Sequence, residues 1–247
     1  RRLLNLSTLN QSLFMVAPAL RFSSNYQNSY FWGMNTYETP HAAAVARMLL
    51  EIKAIRLNPD KPFKWASGWN SPIYCDNRLS LSFPKVRTYI KRALADLVQE
   101  KFPSVEAIAG VATAGIPQGA LVADVLGLPF LYVRPKPKEH GLGNQIEGQL
   151  LQNQRVVLVE DLISTGGSSL KAAEAIEAAG GVVLGMTAIF TYGFGIAEQN
   201  FSTKNVRLYS LSNYTALLEE AIKMEYINEN QLQTLSEWRQ NPADWRV

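Results

Sequence analysis

Between Pro103 and Leu211 short apolar runs alternate with helical patterns, and this rhythm limits the fold more than any other feature. Val105–Val111, Pro129–Val133, Arg155–Val159, Val182–Phe190 and Val206–Leu211 read as five buried strands, because near-continuous apolar runs suit strands covered on both faces. Residues 117–126 and Ser168–Ala179 lie between them with helical spacing; Ala172, Ala175, Ile176 and Ala179 form one face, and Gly180-Gly181 ends it. Strand–helix alternation predicts an α/β fold, an open parallel sheet flanked by helices, Rossmann-like in plan. Ligands of such sheets bind beyond the carboxyl ends of the strands.

The flanks read differently. His41–Ile52 carries Val45, Met48, Leu49 and Ile52 at helical spacing, residues 55–76 are short extended pieces broken by prolines and Gly68, and Phe83–Glu100 is a second helix. Residues 34–102 are therefore expected to form a small N-terminal cap, 103–213 the core, and 214–247 two polar helices at about 214–225 and 229–239. Residues 1–33 hold Arg1, Arg2 and Arg21 and no acidic residue. Of 24 Lys and Arg, the 21 others balance the 21 Asp and Glu, so the net charge of +3 belongs to this leader. A secretory signal ending near Ala17-Pro18-Ala19, an organellar transit segment and sequence upstream of a start at Met34 are the three readings of it. The last, a disordered or non-native leader, is favoured, since Asn5, Ser7, Thr8, Asn10, Gln11 and Ser12 interrupt the apolar stretch.

The neutral body, without a helix-turn-helix pattern in 34–100, argues against a nucleic-acid partner. The longest apolar run, Leu13–Leu20, is far below the roughly 20 residues of a membrane span. Cys75 is the only cysteine, which fits a reducing, cytoplasmic setting.

One junction carries chemistry. The strand Arg155–Val159 is expected to break into Glu160-Asp161-Leu162-Ile163-Ser164-Thr165-Gly166-Gly167-Ser168. A hydroxyl- and glycine-rich turn opening a helix aims backbone N–H groups and the positive helix end at an anion such as a phosphate. The two carboxylates can accept hydrogen bonds from paired sugar hydroxyls or hold a hydrated divalent cation. Together they describe a cradle for a ribose 5-phosphate. A triphosphate P-loop is absent, and Gly141-Leu142-Gly143-Asn144-Gln145-Ile146 fails the dinucleotide pattern at Ile146.

The stretch 160–168 resembles the phosphoribosyl pyrophosphate signature of the type I phosphoribosyltransferases, and from about Met34 onward the chain is similar to their orotate branch. Three further segments bear the resemblance. Arg134-Pro-Lys136-Pro-Lys138-Glu-His140-Gly141, in a loop expected to run from 134 to 154, resembles the flexible loop that in the family closes over the neighbouring subunit's site; Pro135 stands where relatives often have a lysine. Gly110-Val-Ala112-Thr113-Ala114-Gly115 resembles the family's pyrophosphate loop, with Ala114 in place of a lysine. Phe63–Asp76 resembles the segment over the base, with Tyr74 the stacking aromatic, Cys75 beside it, and Ala66 where a lysine is common. Tyr192 stands roughly where an arginine touching orotate is expected.

The resemblance implies transfer of a phosphoribosyl group to orotate with Mg²⁺ as cofactor, by a homodimer sharing its loop in trans. Glu160 and Asp161 would orient the ribose, with Lys138, His140 and Arg134 on the pyrophosphate, Thr113 and Ala114 contributing backbone, Leu162 to Ser168 around the 5-phosphate, and Ser164, Tyr74, Cys75 and Tyr192 near orotate. Two other readings stand beside it: a phosphoribosyltransferase for another base, such as a purine, and a regulator that senses phosphoribosyl pyrophosphate without chemistry.

Overall fold

The computed structural model describes residues 39–65, 68–136 and 145–245. Helix α1 (Ala42–Glu51) buries Val45, Ala46, Leu49 and Leu50, the apolar stripe of its sequence. Four short strands follow: β1 (Ile55–Leu57), β2 (Phe63–Lys64), β3 (Asn70–Ser71) and β4 (Ile73–Cys75). β1 runs antiparallel to β4, placing Arg56 opposite Tyr74, and β2 pairs with β3. A 3₁₀ turn over Asn77–Ser82 leads into α2 (Pro84–Lys101), started by a proline where the helix needs no N–H donor.

The sheet then begins with β5 (Ala107–Val111), every residue of which is buried. It continues through α3 (Gly115–Leu126), β6 (Phe130–Val133), β7 (Ile146–Glu147), β8 (Arg155–Ile163), α4 (Gly167–Ala178), β9 (Val182–Thr191), α5 (Gly195–Thr203), β10 (Leu208–Asn213), α6 (Tyr214–Lys223) and α7 (Glu229–Gln240). The strand order is β10-β9-β8-β5-β6-β7, parallel throughout except for β7, which runs antiparallel to β6. The open parallel sheet expected from the alternation is present. None of the helices among the described residues is long and apolar enough to cross a membrane.

Successive residues of a strand face opposite sides of the sheet, and β8 shows it. Val157 and Val159 join the cluster built with α1, α2, α6 and α7, whereas Val156 and Leu158 join the cluster beneath α4 and α5. The first cluster takes in the cap, one sheet face and the last two helices, so these parts share one core.

Three details differ from the expectation. β8 does not end at Val159 but runs on to Ile163, because Glu160 to Ile163 pair in register with Ala188 to Thr191 of β9. The segment 134–154 is not one loop: β7 folds back on β6 within it. Helix α5 was not expected, since Gly195–Thr203 has Ala197 and Phe201 as its only buried side chains and little apolar spacing to announce it.

Candidate active site

From β5 the chain crosses to β6 on one side, and β8 is added on the other, so the order reverses between β5 and β8. A crevice opens at such a switch point because the loops leaving the two strands diverge. The loop after β5 carries Ala112, Thr113 and Ala114, with Thr113 exposed and the Ala112–Thr113 peptide cis. The loop after β8 carries Ser164, Thr165 and Gly166. The sequence motif for a pyrophosphate loop and the one for a phosphate cradle thus meet at neighbouring strand ends.

Glycines permit the closeness. A Cβ at Gly115 would run into the carbonyl oxygen of Val159, so only glycine lets α3 begin this close to β8. Gly166 has φ +80°, and a Cβ there would press on the Phe201 ring at 2.6 Å. Phe201 lies on α5, and from the same helix Asn200 donates through Nδ2 to the Thr165 carbonyl at 2.9 Å. The back of the loop after β8 is therefore held by α5, a helix without a sequence pattern to announce it. No side chain caps α4, and Gly167 and Ser168 in its first turn are exposed, leaving the N–H groups at this helix end open to an anion.

The continuation of β8 reshapes the acidic pair. Glu160 has the parity of Leu158 and turns toward α4, where it is buried, accepting a hydrogen bond from Ser169 Oγ at 3.1 Å and one from the Asp161 N–H at 3.0 Å. Asp161 has the parity of Val159 and leaves on the cap side; its carbonyl accepts from Asn77 Nδ2 at 2.7 Å. Burial pushes both carboxyls above the ordinary range, Glu160 furthest, and the Asp161 charge pushes Glu160 up further.

A group whose pKa is raised by folding stabilises the fold when protonated, and that contribution is lost as pH rises through the folded value. Glu160→Gln removes the cost of burying the charge while keeping one acceptor. Relative to the parent, its melting temperature should therefore improve by a few degrees between about pH 5 and pH 8. Parallel melts across that range would refute the assignment if the difference stayed flat or ran the other way.

Asn77, fully buried, is the keystone on the cap side. Besides holding Asp161, it accepts from the Cys75 thiol at 3.2 Å through Oδ1. Ser80 Oγ donates to the Asn77 carbonyl at 2.6 Å and accepts from Gln118 Nε2 of α3 at 3.2 Å. The 3₁₀ turn is thus strapped to both β8 and α3. Asn77, Ser80, Gln118 and Asn200 carried no motif; a polar residue buried by tertiary packing has no local signature.

Cys75 lies at this junction as a neutral thiol, since burial and then the Asp161 charge push its pKa well up. Tyr74 is half-buried, with the Arg56 guanidinium 4.8 Å from its ring centroid and the Phe63 ring 5.7 Å away. Tyr192 is placed elsewhere than in an open pocket. It is 2% exposed, inside a nest made by Trp65 at 5.3 Å, Phe194 at 5.3 Å, Phe190 at 5.7 Å and Trp238 at 5.9 Å between centroids. Its ring packs this wall, and burial pushes its hydroxyl pKa well up. Trp65 anchors the wall to the cap by donating from Nε1 to the Ile73 carbonyl at 3.1 Å. Ala66 lies outside the described residues.

Two strands from Asp161, Arg134 follows β6. Its N–H donates to the Gln145 carbonyl at 2.8 Å, and Gln145 Nε2 returns a bond to its carbonyl at 2.9 Å. The guanidinium Nη1 is buried 3.9 Å from Glu147 Oε1, and it makes no hydrogen bond among the described residues. Lys136 is exposed, while Lys138 and His140 lie outside the described residues.

Residues 81–216 match the phosphoribosyl transferase domain family, the class that the sheet order and the two switch-point loops define. An orotate phosphoribosyltransferase from Cytophaga hutchinsonii is 60% identical over 202 residues, 82% of this chain and 97% of that protein. Another from Porphyromonas gingivalis is 57% identical over 82% of this chain and 97% of its own. The crystal structure of the Aeropyrum pernix orotate phosphoribosyltransferase superposes with a TM-score of 0.65 at 30% identity, over 74% of this chain and 99% of that one. The chain belongs to the orotate phosphoribosyltransferase family.

Proposed function

We propose that the chain transfers the 5-phosphoribosyl group of phosphoribosyl pyrophosphate to orotate, giving orotidine 5′-monophosphate and pyrophosphate in pyrimidine synthesis. One observation carries the choice of acceptor: relatives named for orotate match at 57–60% identity along 97% of their length.

The reacting bond lies between the ribose C1 and the pyrophosphate oxygen. As it lengthens, positive charge develops on the sugar, so the protein's contribution is positioning and charge placement. Asp161, at the strand end, is suited to orient the ribose hydroxyls and to favour positive charge at C1. Glu160, held by Ser169 and the Asp161 N–H, fixes the strand end from beneath. Ser164, Thr165 and the open end of α4 receive the 5-phosphate, with Leu162 and Ile163 as the strand that aims them. Backbone groups at Thr113 and Ala114 face the pyrophosphate, with Arg134 approaching from β6. The wall holding Tyr74 and Cys75 closes the base side.

The donor set fits magnesium. Asp161 offers a hard oxygen beside the substrate, Glu160 being buried against Ser169, and the remaining positions would fall to water and the substrate. The chemistry Mg²⁺ would supply here is neutralisation of the pyrophosphate as a leaving group. Lys138 and His140 complete the set by resemblance, supplied from a second subunit of a homodimer whose loop crosses to its neighbour. Lone Cys75 accords with a cytoplasmic enzyme.

The test is an ultraviolet assay of orotate loss with and without phosphoribosyl pyrophosphate and Mg²⁺. Loss is expected only when all are present. Product from hypoxanthine, guanine or adenine, or no loss of orotate, would overturn the assignment.

A further inference from the structure

Orotate differs from the neutral pyrimidine uracil by a carboxylate, and a site that selects it needs a cation on the base side. The two positions where the resemblance expects such a cation hold Ala66 and Tyr192, the latter buried among aromatic rings. On the base side of Asp161, the cap brings two described arginines. Arg56 is spent on ring faces, 4.8 Å from the Tyr74 centroid and 5.6 Å from that of Phe63. Arg134 stands two strands away, on the pyrophosphate side.

Arg78 is the other. It follows Asn77, the residue bonded to the Asp161 carbonyl, so the strap that fixes the acidic strand end also fixes the Arg78 backbone. Its side chain is held side-on by Asp76, Nε to Oδ1 at 2.6 Å and Nη2 to Oδ2 at 3.0 Å. That pairing uses one edge of the guanidinium. The outer edge, Nη1 with the second Nη2 hydrogen, makes no hydrogen bond among the described residues, and the side chain is 61% exposed. A guanidinium oriented in this way presents two parallel N–H groups, the geometry that accepts a carboxylate in a fork. Its positive charge reaches the strand end, drawing the Asp161 carboxyl downward against burial.

We propose that Arg78 is the specificity-determining residue that grips the carboxylate of the pyrimidine acceptor, taking the place of the lysine and arginine absent at positions 66 and 192. The proposal rests on the reading of orotate as acceptor. Asp76 acts as its positioning residue, aiming the fork rather than consuming it. Because the anion of phosphoribosyl pyrophosphate is met elsewhere, by the loops after β5 and β8, the two substrates should respond differently to loss of Arg78.

The experiment is steady-state kinetics of the full chain and of Arg78→Gln and Arg78→Lys, with KM measured separately for orotate and for phosphoribosyl pyrophosphate, and a melting curve for each protein. Loss of a charged fork should raise the orotate KM of Arg78→Gln by at least ~10-fold, leaving that for phosphoribosyl pyrophosphate within about twofold. Arg78→Lys keeps the charge without the fork and should fall between, at about threefold or more; it carries the same split if the Gln variant does not fold. An unchanged orotate KM, an equal rise for both substrates, or a rise confined to phosphoribosyl pyrophosphate would overturn the role given to Arg78. Failure of the unaltered chain to consume orotate would instead overturn the acceptor on which the proposal rests.

Discussion

Asp161→Asn should lower kcat by about 10²–10³-fold while the protein melts close to the parent, the size of losing one preorganised charge beside a developing one. The side chain leaves β8 on the cap side, and what anchors the residue is its backbone: the carbonyl takes the Asn77 bond at 2.7 Å, and the N–H is held by Glu160. An amide keeps the shape and those anchors but removes the negative charge that favours a cationic ribose. The effect should appear in kcat more than in KM for orotate, because the charge matters most in the transition state. Turnover within a few-fold of the parent in a correctly folded variant would remove Asp161 from the reaction.

The second large effect is on Lys138. Lys138→Ala should reduce kcat by at least ~10²-fold with the fold intact, since a positioned ammonium on a departing pyrophosphate is worth as much as a donor in an oxyanion hole. Lys138 belongs to a run of cationic or protonatable residues, Arg134, Lys136, Lys138 and His140, suited to a clamp on a pyrophosphate. If the loop acts on a neighbouring subunit, mixing Lys138→Ala chains with Asp161→Asn chains should restore part of the activity. In mixed dimers one site then receives both an intact strand end and an intact loop. Near-parental turnover of Lys138→Ala alone would end the role of the loop in catalysis.

The parts legible in the sequence were those encoded by local pattern. The buried strands were found because apolar runs announce them, and the loop opening α4 because serine, threonine and glycine stand where a strand meets a helix. The acidic pair was found, but its geometry was not. Glu160 and Asp161 are too polar to read as strand, yet β9 supplies partners for their backbone as far as Thr191, and pairing overrides composition. That extension buries Glu160 against Ser169 of α4, while the Asp161 carbonyl is held from the cap side by Asn77. Tyr192 was placed beside the base from its position in the chain; only the packing of Trp65, Phe194 and Trp238 shows its ring enclosed. Asn77 and Asn200 were invisible for a related reason. Each serves a carbonyl more than 30 positions away in sequence, and no spacing rule reaches that far.

Trp238 sits on α7, near the chain's end, yet touches Trp65 at 5.7 Å, Tyr192 at 5.9 Å and Tyr214 at 5.5 Å. The tail is thus a keel for the base-side wall. Trimming it, fusing a tag too tightly behind it, or letting it fray on warming would slacken the packing around Trp65 and Tyr192. Crops of this protein made for crystallisation or engineering should therefore spare the last helix as carefully as the loops that do the chemistry.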